Sequence, residues 1–407
     1  MKVAFYTLGC KVNQYEAEVL AELFAARGHQ VVPSSQPADL YVVNSCTVTA
    51  AGDQKTRKML RHFKAQAPGA KVVLTGCFPQ AFPQAAQQIP EADLVAGARD
   101  RTRLVELAEA CVATGQRMVH LLPHQRGEAF EPMQVGAFSE RTRAFVKIQD
   151  GCENYCSYCI IPKARGPLRS KDPQALRREL GLRLADAVEL ACEVEGLRRV
   201  RLGSVEPELL EPRDIARMAA QPKLCPQFHL SLQSGCDATL KRMNRHYDSA
   251  EYARIVAAMR AHFPNCAITT DVMVGFPGED EAEFAQSMAF VQEIGFAKAH
   301  VFAYSRRPGT RAANMPGQVS RAEKQRRSAQ MIALTGQSRA AFLQSQVGLV
   351  VQVLFESRLK DGLLEGYADN YTPVRVAGPE TLQGKLLPVR VTAAGEDWCL
   401  GELAENV

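Results

Sequence analysis

The sequence predicts an α/β fold in three parts: an open parallel sheet first, a longer strand–helix region next and a small β-barrel last. Three observations predict it. Over residues 1 to about 125, short apolar β-branched runs alternate with helical patterns at roughly 30-residue spacing, the rhythm of βαβ units on a parallel sheet. A similar alternation runs from about Ala144 to Val319. From about Val347, five short strand-like runs are separated by turn residues, the pattern of a small barrel. At roughly 150 residues per domain, 407 residues give two to three domains.

The first part is built on Lys2–Thr7, Leu40–Val43, Lys71–Thr75 and Leu94–Gly97, each a run that reads as a buried parallel strand. Helical patterns follow over Gln14–Ala26, Asp53–Ala67, Gln80–Gln88 and about Arg101–Ala113. Gly115–Arg141 lacks periodicity and reads as a linker. In the second part the strands are Ala144–Ile148, Val200–Leu202, Phe228–Leu232, Ala267–Val274 and Ala299–Tyr304. Helices are expected over Ala238–Asn244, Ala250–His262 and Glu281–Ile294, and Asp172–Gly196 reads as two consecutive helical stretches. The tail's strands are Val350–Phe355, Leu363–Ala368, Pro373–Val376, Lys385–Val391 and Trp398–Glu402.

A hydrophobic fraction of 46% and a charged fraction of 23% exclude disorder as the dominant state. No run of about 18 uncharged apolar residues occurs, which argues against a membrane span. The start lacks the basic and apolar segments of a signal peptide, so a cytoplasmic, reducing location is expected. The net charge of +5 is mild, but it is unevenly spread. Arg306, Arg307, Arg311, Arg321, Lys324, Arg326, Arg327 and Arg339 face only Glu323, whereas residues 345–407 carry five basic against nine acidic groups.

Twelve cysteines in such a compartment pose the question of which have chemistry. Cys152, Cys156 and Cys159 form a C-x3-C-x2-C loop. Zinc usually takes four ligands from paired units, and no fourth is near. A [4Fe–4S] cluster on three cysteines leaves one iron for an outside ligand. Cys10, Cys46 and Cys77 each follow a predicted strand, and strand C-terminal ends share one edge of an open α/β sheet, where ligands bind. They are either neighbours in space or three unrelated buried thiols. Cys111, Cys192, Cys225, Cys266 and Cys399 read as packing residues, as does Cys236 less securely.

With both triplets in view, the chain resembles the methylthiotransferases of the radical S-adenosylmethionine (SAM) superfamily over essentially its whole length. The matching phrases are Thr7-Leu-Gly-Cys-Lys-Val-Asn-Gln14, Asn44-Ser-Cys-Thr-Val-Thr49 and Leu74-Thr-Gly-Cys77. They continue with Lys147 through Pro162, which contains the C-x3-C-x2-C loop, and Ala164-Arg-Gly166. Arg201 to Pro207, Leu232-Gln-Ser-Gly235, Met243 to Tyr247, Thr270 to Glu279 and Tyr304 to Thr310 complete the set. Gly-Cys-Lys-Val-Asn-Gln and Cys-Thr-Val-Thr resemble the branch acting on N6-threonylcarbamoyladenosine at tRNA position 37.

The resemblance implies an N-terminal methylthiotransferase domain over 1–125, a partial TIM-like (βα)6 radical SAM barrel over 140–320 and a TRAM-like RNA-binding β-barrel over 345–407. One of the six barrel strands has no counterpart here, and roughly 25–30 family residues are expected to be absent near Leu180–Gly181, about one βα unit. It further implies two [4Fe–4S] clusters, one on Cys152, Cys156 and Cys159 and one on Cys10, Cys46 and Cys77. SAM chelated to the first would yield a 5′-deoxyadenosyl radical able to take hydrogen from adenine C2, which no side-chain base can deprotonate. The second would carry the sulfur, and no side chain would be catalytic by itself. Tyr158 would pack on the SAM adenine or merely pack locally. Ser204 and Glu206 at a strand end would bind SAM, with Gln233, Ser234 and Asp271 at equivalent ends. Gly275, Pro277 and Gly278 would shape a turn. Asn13 and Asn44 would hydrogen-bond cluster sulfurs, or cap turns.

The implied partners are tRNA, met by the basic stretch before the tail, and an electron donor such as flavodoxin or ferredoxin. The chain would be a monomer with no membrane role, and its sulfur donor is unspecified. Other acceptors in the family are isopentenyladenosine in tRNA and a ribosomal-protein aspartate. A non-catalytic iron–sulfur or zinc protein that binds RNA is the reading from another class.

Overall fold

The computed structural model describes residues 1–131, 133, 145, 147–170 and 184–404. It divides into two units, Met1–Ala175 with Ser305–Asn314, and Leu176–Tyr304 with Met315–Val407.

In the first unit, β1 (Lys2–Thr7), β2 (Gln30–Val32), β3 (Leu40–Ser45), β4 (Lys71–Gly76), β5 (Leu94–Ala96) and β6 (Met118–His120) form one parallel sheet. Its order is β2-β1-β3-β4-β5-β6. The helices are α1 (Lys11–Ala26), α2 (Ala50–Gln66), α3 (Cys77–Ala81), α4 (Pro83–Gln87) and α5 (Leu104–Thr114). Leu20, Phe24, Val105 and Ala108 of α1 and α5 pack with Val42 and Val73 on one face of the sheet. Leu60, Phe63, Phe78 and Ala86 pack with Tyr41 and Leu74 on the other. Helices on both faces explain why β3 and β4 are apolar without alternation. Proline cannot donate a helix hydrogen bond, and the single helix expected over Gln80–Gln88 breaks at Phe82, before Pro83. Two strands of this sheet escaped the sequence reading. β2 and β6 have three residues each, too few for a periodic signal, and β6 lies inside the expected linker.

After this sheet come β7 (Gln149–Asp150), α6 (Ile161–Arg165) and β8 (Arg169–Ser170), with β7 and β8 paired antiparallel around the three-cysteine loop. The strand expected over Ala144–Ile148 falls partly outside the described residues, as do the first helical stretch after Asp172 and the position near Leu180–Gly181.

The second unit holds α7 (Leu184–Glu193), β9 (Ser204–Val205), α8 (Pro212–Ala219), β10 (Gln227–Leu230), α9 (Asp237–Arg242) and α10 (Ser249–His262). It continues with β11 (Ala267–Val274), α11 (Glu281–Ile294), β12 (Lys298–Ala303) and α12 (Arg321–Ser345). The strands pair in parallel in the order β12-β11-β10-β9. Phe228, Leu230, Ile268, Val272 and Val274 turn one sheet face onto these helices. The strand expected at Val200–Leu202 is only a bridge from Val200 to Leu224, and the ladder starts at Ser204.

β13 (Val350–Arg358), β14 (Leu364–Ala368), β15 (Pro373–Val376), β16 (Leu386–Ala394) and β17 (Cys399–Leu403) close a barrel in the order β13-β14-β15-β17-β16. Within the same unit this barrel is fastened by amides, of which Gln346 and Asn370 are buried. Asn265 and Gln346 exchange hydrogen bonds of 2.9 and 2.8 Å, and Asn370 Nδ2 donates to Gln346 Oε1 at 3.0 Å. The Asn370 oxygen accepts from Thr372 Oγ1 at 2.7 Å. Arg199 donates to the Tyr367 and Gln352 carbonyls, and the Arg201 guanidinium lies 3.9 Å from the Tyr371 ring centroid. Asn370→Ala takes the acceptor from the buried Thr372 hydroxyl and N–H and is expected to cost about 2 kcal/mol in denaturant unfolding. A loss under about 0.5 kcal/mol, the range of ordinary surface substitutions, would show that the fastening is incidental.

Part of the basic stretch is answered by carboxylates, while Arg306, Arg311 and Arg321 are exposed. Arg307 binds Asp53 and Thr47, Arg326 binds Glu323 and Glu281, and Arg327 binds Glu279 and Glu323. Arg306 and Arg339 donate to the Ala313 and Ala297 carbonyls, and Lys324 to that of Tyr304. Asp53, Glu279 and Glu281 lie far away in sequence, so a local charge count could not anticipate those pairs, whereas Glu323 is a neighbour on the same helix.

Candidate functional site

In the first unit, strand register sets the starting line. Thr7 lies opposite Asn44, and Asn44 opposite Thr75. Cys10, Cys46 and Cys77 lie three, two and two residues beyond that line, on three adjacent strand ends. Cys10 is the N-cap of α1 and makes no capping bond, which leaves its thiol free of that duty. Cys77 opens α3.

The residues before them are glycines for a steric reason. A Cβ on Gly9 would stand 2.9 Å from Cys46 Cβ, and one on Gly76 would stand 2.5 Å from Asn44 Oδ1 and 2.6 Å from Ser45 O. Both glycines have positive φ, 124° and 94°, in the region that favours glycine.

Asn13 is the centre of this arrangement. Its Oδ1 lies 3.6 Å from Cys10 Sγ and 3.9 Å from Cys77 Sγ. Its Nδ2 donates to Leu8 O at 3.0 Å and to Ser45 O at 2.9 Å, so the N–H groups point away from sulfur. Asn13 therefore turns its oxygen, not an N–H, to the Cys10 and Cys77 thiols. Asn44 Nδ2 is likewise spent on the Asn13 carbonyl at 2.8 Å. Cys10 is exposed, Cys46 half-buried and Cys77 buried. Burial pushes the Cys77 thiol up, with Arg165 opposing, and burial also raises that of Cys46.

Behind Asn13 lies a buried ion network. Glu16, fully buried, accepts from Lys147 Nζ and Arg165 Nη1, each at 2.7 Å, and faces Arg101 at 3.1 Å. Asp150 accepts from Lys147 at 2.7 Å and from Arg165 at 3.1 Å. Burial pushes the Glu16 carboxyl up, but Arg101, Arg165 and Lys147 outweigh it and hold it at about 2. No role had been read for Glu16 or Arg165. A signal was present in α1, where Glu16 lies three residues after Asn13 and four before Leu20, on the helix's buried stripe.

The second triplet sits on the loop between β7 and α6. Cys159 N–H donates to Cys156 O at 3.0 Å, and Ile161 N–H to Cys159 Sγ at 3.4 Å. All three thiols and Tyr158 are half-buried. Among the described residues no three His, Cys, Asp or Glu side chains are placed to share one metal ion. A polynuclear cluster takes each thiolate on a separate metal atom, and two sets of three soft donors on crowded glycine-flanked turns suit it.

In the second unit, Ser204, His229 and Thr269 lie level on β9, β10 and β11. Ser204 is exposed. Glu206 follows β9 and is already paired with Arg245; burial pushes its carboxyl up while Arg245 opposes. Gln233, at φ 68°, lies beyond β10, and its N–H donates to Asp271 O at 2.9 Å. Its Oε1 is buried and has no hydrogen-bond partner among the described residues. Asp271 is the fifth residue of the eight in β11, which corrects its placement at a strand end. Its carboxylate faces His229 at 3.5 Å, and His300 lies opposite it on β12. Neither histidine was singled out, since each reads as an ordinary strand residue. Ser234 is fully buried and its Oγ accepts from Cys236 N–H, so it holds the turn into α9. Cys236, also buried, donates to Gln286 Oε1 at 3.3 Å, which is a packing role.

Two family models match the chain: "Uncharacterized protein family UPF0004" over residues 2–97 and "Radical SAM superfamily" over residues 180–291. The threonylcarbamoyladenosine tRNA methylthiotransferase of Bacillus subtilis (strain 168) is 35% identical over 437 aligned positions, covering 100% of this chain and 97% of that protein. With 407 residues aligned over 437 positions, 437 − 407 leaves about 30 positions without a residue here. The tRNA-2-methylthio-N(6)-dimethylallyladenosine synthase of Pelotomaculum thermopropionicum is 32% identical, covering 100% and 98%. Among solved structures, the radical SAM methyltransferase TsrM of Kitasatospora setae aligns with a TM-score of 0.55 at 14% identity over 77% of this chain and 75% of that one, a likeness of fold. Among the described residues no helix is long and apolar enough to cross a membrane.

Proposed function

The chain belongs to the methylthiotransferase family of radical SAM enzymes, and from that premise we propose that it transfers a methylthio group to C2 of N6-threonylcarbamoyladenosine at position 37 of tRNA. The observation that carries the chemistry is the gathering of Cys10, Cys46 and Cys77 at three neighbouring strand ends, in a chain that also bears a separate three-cysteine loop. The acceptor rests on the phrases around Cys10 and Cys46 and on the name of the Bacillus subtilis relative. The functional divisions we propose are 1–125, 140–320 and 345–407.

Cys152, Cys156 and Cys159 would hold one [4Fe–4S] cluster, and Cys10, Cys46 and Cys77 the other. With SAM bound, these groups supply a carbon-centred radical and an iron able to carry sulfur. The remaining work belongs to the chain's own residues. The Ile161 N–H stabilises the Cys159 thiolate. Gly9 and Gly76 let the backbone turn tightly enough to bring Cys10 and Cys77 beside Asn13. Tyr158, Ser204, Glu206, Gln233 and Asp271 are the proposed SAM contacts, and Ser234 keeps the turn after Gln233. Of these, Gln233 has a buried carbonyl oxygen that a ligand donor would satisfy. Transfer of electrons from a flavodoxin or ferredoxin, a monomeric state and a cytoplasmic location complete the proposal.

Mass spectrometry of tRNA nucleosides from a deletion strain tests the acceptor. The methylthio form of threonylcarbamoyladenosine should disappear. Its persistence would overturn the reading, and loss of methylthio-isopentenyladenosine instead would transfer the activity to that nucleoside.

A further inference from the structure

We propose that Arg165 is a positioning residue that ties the two cysteine centres together and supplies the positive charge that keeps the Cys10–Cys46–Cys77 centre reducible. The inference rests on the two-cluster reading above.

Arg165 ends α6, six residues after Cys159. Its side chain is buried, and both terminal nitrogens of its fork are engaged. Nη2 donates to Asn13 Oδ1 at 2.8 Å and to Glu16 Oε2 at 3.1 Å. Nη1 donates to Glu16 Oε1 at 2.7 Å and to Asp150 Oδ1 at 3.1 Å. The next residue serves the other centre: Gly166 O accepts from Cys152 N–H at 3.1 Å. Two consecutive residues thus touch the second triplet through the backbone and the first triplet's support through a guanidinium.

The orientation of Asn13 explains why a cation is needed there. Its amide nitrogen is held by Leu8 O and Ser45 O, so its oxygen must face the thiols. Thiols can donate to that oxygen, but thiolates cannot, and an acceptor would then oppose negative sulfur. The Arg165 guanidinium donates to the same oxygen from behind and draws its charge back. Reduction adds a further negative charge to a cluster on those thiolates. A buried cation favours that charge and its removal disfavours it. Lysine would keep the charge but cannot reproduce four fixed hydrogen bonds.

The test is a redox titration followed by electron paramagnetic resonance. It uses the full chain with Cys152, Cys156 and Cys159 replaced by alanine, so that only the first triplet is loaded, and adds R165Q or R165K. R165Q is expected to lower the potential so that the oxidised-to-reduced ratio at a fixed solution potential rises at least about tenfold, which is 59 mV for one electron. R165K is expected to return that ratio to within about threefold of the parent, about half that shift. Equal potentials in R165Q and the parent, or R165K shifted as far as R165Q, would overturn the proposal. If R165Q takes up no iron, R165K decides: parental iron and potential support the proposal, and no iron overturns it. A parent without an iron–sulfur signal would instead sink the two-cluster reading.

Discussion

Replacing Cys156 by alanine is expected to abolish 5′-deoxyadenosine formation, while replacing Cys77 by alanine should leave it within a few-fold and abolish methylthio transfer. The first effect should reach at least about 10³-fold, more than 4 kcal/mol of lost barrier lowering. The two cysteines occupy different structural contexts, which is why the outcomes should part. Cys156 lies in the loop whose backbone bond from Cys159 N–H to Cys156 O sets the spacing of the second triplet. Cys77 is the buried member of the first triplet, at the start of α3. Chromatography of SAM products and mass spectrometry of the tRNA nucleoside separate the two readouts. Iron content is the control: each variant should fall from about eight irons to about four, one [4Fe–4S] cluster lost. Methylthio transfer by Cys77→Ala would break the assignment of the first triplet, and radical formation by Cys156→Ala would break that of the second.

The sheet of the first unit and the closed terminal barrel were legible because their strands carry local signals. Leu40–Ser45 and Lys71–Gly76 are buried on both faces and so read as unbroken apolar runs. Strand ends could be aligned on paper, so the neighbourhood of Cys10, Cys46 and Cys77 followed from topology. What could not be read were pairings across sequence. Glu16 meets Lys147 and Arg165, which are 131 and 149 residues away. The basic stretch around Arg326 and Arg327 is answered by Glu279 and Glu281 from before α11 and at its start. The direction of the Asn13 amide was equally out of reach, because the carbonyls that fix it belong to Leu8 and Ser45 on separate strand ends.

Replacing Glu16 by alanine is expected to be the most destabilising single change, at about 3–5 kcal/mol. The carboxylate is fully buried between Arg101, Lys147 and Arg165, so its removal leaves three cations in low dielectric with Asp150 and, for Arg101, Glu131 as the remaining close anions. Set against a total of about 5–15 kcal/mol, such a loss should lower yield and melting temperature sharply. Glu16→Gln keeps the shape and two polar atoms and should retain more of the stability. Acid supplies an independent readout. The Glu16 carboxyl is held at about 2 in the fold against an ordinary 4.5, so the network's contribution is present above about pH 4.5 and lost as pH falls towards 2. Asp150 is held low by Arg165, Arg101 and Lys147 against its burial, and acts in the same direction. The Glu16 share is on the order of 3 kcal/mol. Melting temperatures between pH 6 and 3 should therefore fall more steeply for the parent than for Glu16→Gln, and parallel slopes would deny Glu16 this role. Because α1 carries Asn13 as well as Glu16, the same network that stabilises the unit also fixes the oxygen that faces the first triplet of thiols.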